Sequence, residues 1–148
     1  MINLKKTLIL SICFCFCQML NAQESPYEIK KGNPLRKTVL DVVRKPTSAE
    51  LGQNIEFVVN VMMLKGNWAF VQGQLQQPGG KALDKTKFVD KEYLELGKGG
   101  LFDDNFQAVL QKKKGNWVIV KRVLGCTDVC WGDWINTVKG ADKAIFPQ

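Results

Sequence analysis

The chain has 148 residues, with 21 lysines and arginines against 14 acidic residues, a net charge of +7 and no histidine. Because Ser-His-Asp and Cys-His nucleophile pairs and most zinc sites need an imidazole that titrates near neutral pH, the composition argues against these chemistries. The length suits one domain with its own core, and a modest excess of lysine is typical of a solvated surface.

Residues 1–22 have the pattern of an export signal. Lys5 and Lys6 form a basic start, an apolar stretch runs from Thr7 to Leu20, and Ala22 ends an acceptable cleavage site. The stretch is shorter than the roughly 20 residues of a membrane-spanning helix. We therefore expect an exported protein, periplasmic or secreted after cleavage near Ala22, whose mature chain does not span the membrane.

The folded part is predicted to be a single domain over residues 33–148, preceded by a flexible leader over residues 23–32. Asn33 followed by Pro34 is typical of a helix start, because asparagine caps free amides and proline suits the first helical position. Pro46 is expected to kink or end this helix. The apolar spacing predicts one buried stripe, made of Leu35, Val39, Val42 and Val43.

The tetrapeptide Lys-Gly-Asn-Trp occurs at residues 65–68 and again at residues 114–117. Each copy lies between two runs with the alternation of a strand, and Gly-Asn suits a tight hairpin turn because glycine accepts a positive φ. We therefore predict two antiparallel hairpins that turn at Gly-Asn. The predicted cross-strand partners are Lys65 with Trp68, Met63 with Phe70, and Lys114 with Trp117; Leu110, Ile119 and Val123 are predicted to share a face.

The connection between the hairpins, residues 76–105, is predicted to be irregular, with a turn at Pro78-Gly79-Gly80 and a short strand or strand pair within residues 86–96. Long connections often carry function, so this one is a candidate binding loop. After the second hairpin we expect a short helical turn within residues 128–138. A tail should then pack Ile145-Phe146 against the core.

These elements predict an α+β fold, in which one N-terminal amphipathic helix packs on a curved antiparallel sheet of four or more strands. The order of helix, hairpin, loop and hairpin resembles the cystatin-like and nuclear-transport-factor-2-like (NTF2-like) architectures. The phrases GNWAFVQG, GNWVIV and TDVCWGDW resemble an uncharacterised group of exported bacterial single-domain proteins, over Asn33 to Phe146. The resemblance implies a fold more than a function, because its motifs are mainly turn and core residues.

The segment from Cys126 to Trp134 holds the candidate site. Two cysteines in an exported chain are most simply a disulfide, here Cys126–Cys130 across a non-helical turn. A redox-active pair and free thiols are the alternatives, although the familiar redox motif has two intervening residues rather than three. Trp131 and Trp134 are three residues apart and flanked by Asp128 and Asp133. They would either stack on a sugar ring or grip an apolar peptide, or pack in the core with Asp128 capping the helix.

The sequence predicts an exported, non-catalytic binding or interaction domain with no catalytic residues, no cofactor and no metal. The expected partner is an envelope protein, a glycan or a small ligand. It would be bound by the 76–105 connection, the concave face of the sheet, or the turn with Trp131 and Trp134. No nucleic-acid motif accompanies the lysines at residues 112–114, so no specific nucleic-acid binding is expected. The alternative is a small-molecule carrier or isomerase-like enzyme, which needs an open apolar pocket between helix and sheet that contains a buried acid.

Overall fold

A computed structural model describes residues 25–147, and the predicted signal segment lies outside them. The described chain is α+β: an open five-stranded antiparallel sheet whose strands lie side by side in sequence order, on which one long helix packs, as predicted. The strands are β1 (Tyr27–Glu28), β2 (Glu56–Lys65), β3 (Trp68–Gln76), β4 (Asn105–Lys113) and β5 (Asn116–Leu124). The helices are α1 (Pro34–Glu50), α2 (Lys91–Lys98) and α3 (Trp134–Thr137). Over residues 25–147, no helix has both the length and the apolar character needed to cross a membrane.

The start of α1 follows the prediction. The side chain of Asn33 accepts a hydrogen bond from the backbone N–H of Leu35, and Pro34 is the first helical residue. This arrangement satisfies one of the amides that a helix start leaves without an intrahelical partner. The helix buries Val39, Leu40, Val43 and Thr47, so the predicted apolar stripe does face the sheet.

Of the two effects predicted for Pro46, an end to the helix does not occur, because α1 continues through Pro46 as far as Glu50. A proline in a helix removes one backbone hydrogen bond, and the helix persists only where other contacts hold it. Here the hydroxyl of Thr47 donates to the carbonyl of Val43 at 2.8 Å. Arg122 of β5 donates to both Thr47 and Glu50. Tertiary contacts with the sheet therefore stabilise the turn that follows the proline.

Part of the expected flexible leader belongs to the sheet. Tyr27 and Glu28 pair with Leu64 and Met63 of β2. Ile29, which follows them, is 1% exposed and lies in the core between helix and sheet. One buried isoleucine between polar neighbours is too short a pattern to indicate a strand.

The first hairpin has the predicted register, with Lys65 opposite Trp68 and Met63 opposite Phe70. A bulge at Asn60 interrupts β2, because Val59 pairs with Gly73 whereas Val61 pairs with the preceding residue of β3. The backbones approach so closely there that a Cβ added to Gly73 would lie 2.1 Å from the carbonyl oxygen of Val58. The extra residue reverses the alternation of side chains, as expected for a bulge.

The second hairpin turns one residue earlier than predicted. Its central residues are Lys114, with φ of 49°, and Gly115, with φ of 84°. Lys112 therefore lies opposite Trp117, and the predicted pairing of Lys114 with Trp117 is wrong. The observed register pairs Leu110 with Ile119, whereas the predicted one would have placed a lysine opposite that isoleucine. Apolar pairing across the strands thus outweighs the strain of a lysine with positive φ.

A second bulge lies in β5, where Val109 pairs with Lys121 and Leu110 pairs with Ile119, which leaves Val120 without a partner in β4. Beyond this bulge the side chains change faces. Val123 consequently packs in the cluster away from α1, and its predicted position beside Leu110 is wrong.

The connection between the hairpins is folded rather than a free loop. Its 86–96 part, predicted to contain a strand, forms a short 3-10 turn (Lys85–Lys87) followed by α2. The side chain of Asp90 caps α2 by accepting a hydrogen bond from the N–H of Tyr93. This cap favours a helix over the strand that the apolar residues had indicated. Three apolar residues of the connection are buried in the core, namely Leu83, Phe88 and Phe102.

Two hydrophobic clusters lie on the two faces of the sheet. Alternate residues of β3 belong to different clusters, because successive side chains of a strand point to opposite faces. The face in contact with α1 is called the inner face, and the opposite one the outer face. The inner cluster includes Val39, Val43, Met62, Val71, Leu110 and Trp117. The outer cluster includes Trp68, Phe70, Val109, Trp134, Val138, Ile145 and Phe146, so the predicted packing of Ile145-Phe146 is confirmed.

Candidate functional site

The outer face of the sheet is divided into two halves by the C-terminal segment, residues 126–146. This segment covers the half where Trp68 and Phe70 of β3 lie, together with Val109 of β4 and Val123 of β5. The other half carries polar side chains from three strands and lies beside the covered half. The candidate site is this polar half together with the aromatic residues at its border.

A disulfide ties the start of the C-terminal segment. Cys126 and Cys130 are within disulfide-bonding distance, with their Cα atoms 6.3 Å apart. The side chain of Asn105, the first residue of β4, accepts from the backbone N–H of Cys126 at 3.1 Å and donates to its carbonyl oxygen at 2.6 Å. The disulfide loop is therefore attached directly to the strand that carries the polar half.

The two tryptophans do not form an exposed pair on one helical face. Trp134 begins α3, is 2% exposed, and lies with its ring 5.4 Å from the ammonium of Lys121. Trp131 precedes the helix and is half-buried, with its ring 5.7 Å from Phe70 and nearly parallel to that of Phe146. Trp134 is thus a core residue of the outer cluster. Trp131 is the aromatic residue at the border of the site.

Asp128 and Asp133 are both exposed, and each has a separate role. Asp128 accepts a hydrogen bond from the N–H of Val129 at 2.7 Å inside the disulfide loop, and it does not cap α3 as the core-packing interpretation expected. Asp133 pairs with Lys121 of β5 at 3.2 Å. Neither arrangement resembles a pair of carboxylates across a cleft.

The polar half of the outer face forms a shallow groove of about 150 Å³ that crosses three strands. We call it the amide groove, because its polar lining consists of five side-chain carboxamides and contains no charged residue. These are Asn60 at the bulge of β2, Gln72 and Gln74 on β3, and Asn105 and Gln107 on β4; Gly73 and Phe106 complete the lining. In a chain with a net charge of +7, an uncharged polar surface of this kind is a distinct chemical environment.

Gln107, one of the residues that line this groove, has an unsatisfied hydrogen-bonding group. Its side chain is 8% exposed, and its Oε1 atom is buried without a hydrogen-bond partner among residues 25–147. One other buried oxygen in that range shares this property, on Asp104, but it has the ammonium of Lys85 at 3.3 Å as an ionic partner. Burying an amide oxygen without a donor costs about 1–3 kcal/mol. Such a group is uncommon and calls for a donor that the folded chain does not supply.

The neighbouring amides have spare hydrogen-bonding capacity. Asn105 is occupied by Cys126, whereas Asn60, Gln72 and Gln74 make no side-chain hydrogen bond to any residue that the structure describes. Gln72 lies directly opposite Gln107 in the register of β3 and β4, and Gln74 lies opposite Asn105. The groove therefore presents an array of groups that both donate and accept.

Most of the space between α1 and the sheet is filled by the side chains of the inner cluster, but a cavity of about 370 Å³ remains, lined by Lys31, by Arg36 and Leu40 of α1, and by residues 56–59 of β2. Glu50, the last residue of α1, accepts from Arg122 at 2.5 and 2.6 Å, as expected of a structural clamp between helix and strand. Burial, together with the Glu50 charge, raises the pKa of Tyr93. The carrier or enzyme alternative needs an open apolar pocket with a buried acid. Glu50 is held in an ion pair with Arg122, and Glu56, the acid that lines the cavity, is exposed.

The charged groups outside these contacts do not provide a metal centre within residues 25–147. The lysines at residues 112–114 are exposed at the tip of the second hairpin. Within the described range there is no group of three or more histidine, cysteine, aspartate or glutamate residues that could hold a metal ion.

Sequence reasoning missed the amides, although β3 carries a signal for them. Gln72, Gln74 and Gln76 alternate with buried residues, as do Asn105 and Gln107 on β4. Glutamine on a strand is usually a solvated surface residue, and only the pairing of β3 with β4 brings these positions together. Comparison of the chain with protein-family models, with curated proteins and with solved structures gave no match in any of the three.

Proposed function

We propose that the chain is an exported, non-catalytic binding domain that holds its ligand in the amide groove. The signal-like residues 1–22 and the disulfide between Cys126 and Cys130 support export. The observation that carries the binding proposal is the orphaned Oε1 of Gln107. A ligand that turns the Gln107 carboxamide towards the groove surface and donates to this oxygen would remove an energetic penalty that the free protein retains.

The fold supports a binding role over catalysis. The groove has amides as its only polar side chains, and carboxamides do not titrate, so they hold and orient a ligand without transferring protons. The helix-on-sheet architecture fits the proposed likeness to cystatin-like and NTF2-like proteins, and that likeness is itself a proposal. The predicted binding surface on the concave face is less favoured, because the inner cluster covers it. The 76–105 connection buries Leu83, Phe88 and Phe102 but exposes Val89 and Leu101. We favour the amide groove over this connection because the groove contains the orphaned oxygen of Gln107.

A substitution at Gln107 tests the proposal directly. Gln107→Met removes the orphaned oxygen at similar volume, so we expect the free energy of unfolding to rise by up to about 1–3 kcal/mol while ligand capture falls. A residue with only a structural role would not give this opposite pair of effects. The measurements are urea unfolding and capture of material from the envelope fraction by the immobilised exported protein.

The matched control is Gln111→Met. Gln111 is the same residue type on the same strand and face, but it lies outside the amide groove, near the tip of the first hairpin. We expect capture by this variant to equal that of the wild type. Equal capture by both variants, with the wild type binding normally, would exclude the amide groove as the binding site.

A further inference from the structure

We propose, building on the function above, that the ligand of the amide groove is a neutral glycan, one sugar ring of which lies over Gln72 and Gln107. The groove extends from the bulge of β2 across β3 to the start of β4. A glycan chain bound there would cross the strands beside the C-terminal segment.

The hydrogen-bonding chemistry of the groove matches that of sugar hydroxyls. Each sugar hydroxyl donates one hydrogen bond and accepts others, and each carboxamide offers an oxygen acceptor beside a two-proton donor. Two neighbouring hydroxyls can therefore pair with one amide in a bidentate manner. Gln72 and Gln107 lie opposite each other on β3 and β4, and together they would hydrogen-bond to one ring.

The absence of charge from the lining favours a neutral ligand. An anionic or cationic ligand that loses water on binding needs an opposite charge, because unpaired charges are costly to bury. The groove offers none, although the chain has 21 lysines and arginines. An acidic polysaccharide would find better partners elsewhere on the surface.

The size of the groove favours part of a longer chain over a whole small molecule. Its volume of about 150 Å³ is smaller than the roughly 300–1,000 Å³ of pockets that enclose drug-sized ligands. A shallow groove of this size can seat one ring while the rest of a polymer lies on the surrounding sheet.

A peptide fits this surface less well. Extended peptides usually bind by adding a strand to a free sheet edge, where backbone groups are unpaired. Here β3 and β4 are central strands paired on both sides, so their backbone groups are already used. The groove offers a peptide only side-chain amides and little apolar surface.

Trp131 provides an aromatic surface next to the groove. Its ring contacts Phe70, which is the residue on the outer face of β3 that precedes Gln72. An indole at this border can pack against the apolar face of a sugar ring that continues beyond the amides. Trp131 is half-buried, so part of it is accessible, whereas Trp134 is buried.

The test uses the immobilised exported protein and three samples of its envelope fraction: untreated, protease-digested, and oxidised with periodate, which cleaves sugars at adjacent hydroxyls. We expect protease to leave capture unchanged and periodate to reduce it at least tenfold. The double variant Gln72→Ala/Gln74→Ala should lose at least tenfold in capture of the untreated sample, and Gln111→Ala should lose none. Trp131→Ala should lose several-fold, and Trp131→Phe less.

The outcomes separate the ligand class from the proposed function. Capture that depends on Gln72 and Gln74, resists periodate and is destroyed by protease would keep the binding site but overturn the glycan. Capture that resists both treatments would likewise keep the site and indicate a small ligand. If the double variant captures as much as the wild type, both proposals fail.

Discussion

The two Lys-Gly-Asn-Trp copies have the same amino-acid sequence but different structures. At residues 65–68 the turn is Gly66-Asn67, with a positive φ at the glycine, and Trp68 packs on the outer face. At residues 114–117 the turn moves back to Lys114-Gly115, and Trp117 packs on the inner face beside the α1 cluster. A tetrapeptide at a hairpin tip therefore does not determine its own register, and the pairing of the apolar residues behind it does.

The environment of the two tips also differs. The C-terminal segment docks on the first, where Lys65 pairs with Asp142 at 2.6 Å and Gly140 passes close to the indole of Trp68. The second tip carries exposed lysines, and nothing in the described chain covers it. The C-terminal segment is thus held at both ends, by Asn105 at Cys126 and by the first tip at Asp142, and the amide groove lies beside it.

The largest expected effects come from truncating the tryptophan beside each hairpin tip, Trp68 or Trp117. Trp68 and Trp117 are 9% and 7% exposed, and truncating a buried tryptophan costs about 3–5 kcal/mol. We expect Trp68→Ala and Trp117→Ala to lower the free energy of unfolding by about this amount, measured with urea. Of these two variants, Trp68→Ala should also release the C-terminal segment, because Trp68 belongs to the outer cluster with Val138 and Ile145, whereas Trp117 belongs to the inner cluster.

Limited trypsin digestion of the folded variants distinguishes the two positions. In Trp68→Ala we expect faster cleavage after Lys139 and Lys143 than in Trp117→Ala. Trp68→Phe, which keeps an aromatic ring, serves as the control and should behave nearly as the wild type. Equal cleavage in the two alanine variants would show that the segment does not depend on the first tip.

The same comparison shows how much of the fold the sequence could predict. The cap at Asn33 and the first register were predictable, because local chemistry and apolar pairing there favour the same structure. The bulges at Asn60 and Val120 were not, because one inserted residue leaves the apolar alternation plausible on both sides of it. The turn at Lys114 was missed because Gly-Asn is the better turn by propensity, and pairing along the strands outweighed it.

The candidate site was less predictable than the fold. The sequence prediction centred on Trp131 and Trp134, and Trp134 is a core residue. The amide groove depends on the register of β3 against β4, which places Gln72 opposite Gln107. An orphaned buried oxygen can be recognised only once every neighbour is known, so no sequence pattern could have indicated it.

A smaller effect, of opposite sign at the two tips, is expected from replacing each tip lysine with asparagine. Lys114 has a positive φ that asparagine tolerates better, so Lys114→Asn should raise the free energy of unfolding by about 0.5–1 kcal/mol. Lys65 is a strand residue paired with Asp142, so Lys65→Asn should lower it by about 1 kcal/mol. Urea unfolding of both variants measures the difference, and shifts of the same sign would mean that the two tips share one turn.

The smallest expected effect concerns the ion pair at the first tip. The hydrogen bond from Lys65, with a further one from the N–H of Ala144, holds the pKa of Asp142 below its ordinary value. A carboxyl whose pKa is lower in the folded state stabilises the fold above its unfolded pKa, near 4, and that contribution is lost as the pH falls towards the folded pKa. We expect Lys65→Met to raise the pKa of Asp142, measured by carbon NMR of the carboxyl group, and Lys114→Met to leave it unchanged. Part of the lowering should persist in Lys65→Met, because the N–H of Ala144 still donates. An Asp142 that titrates identically in all three proteins would mean that the segment reaches the first tip without this ion pair, and that Trp68 alone holds it there.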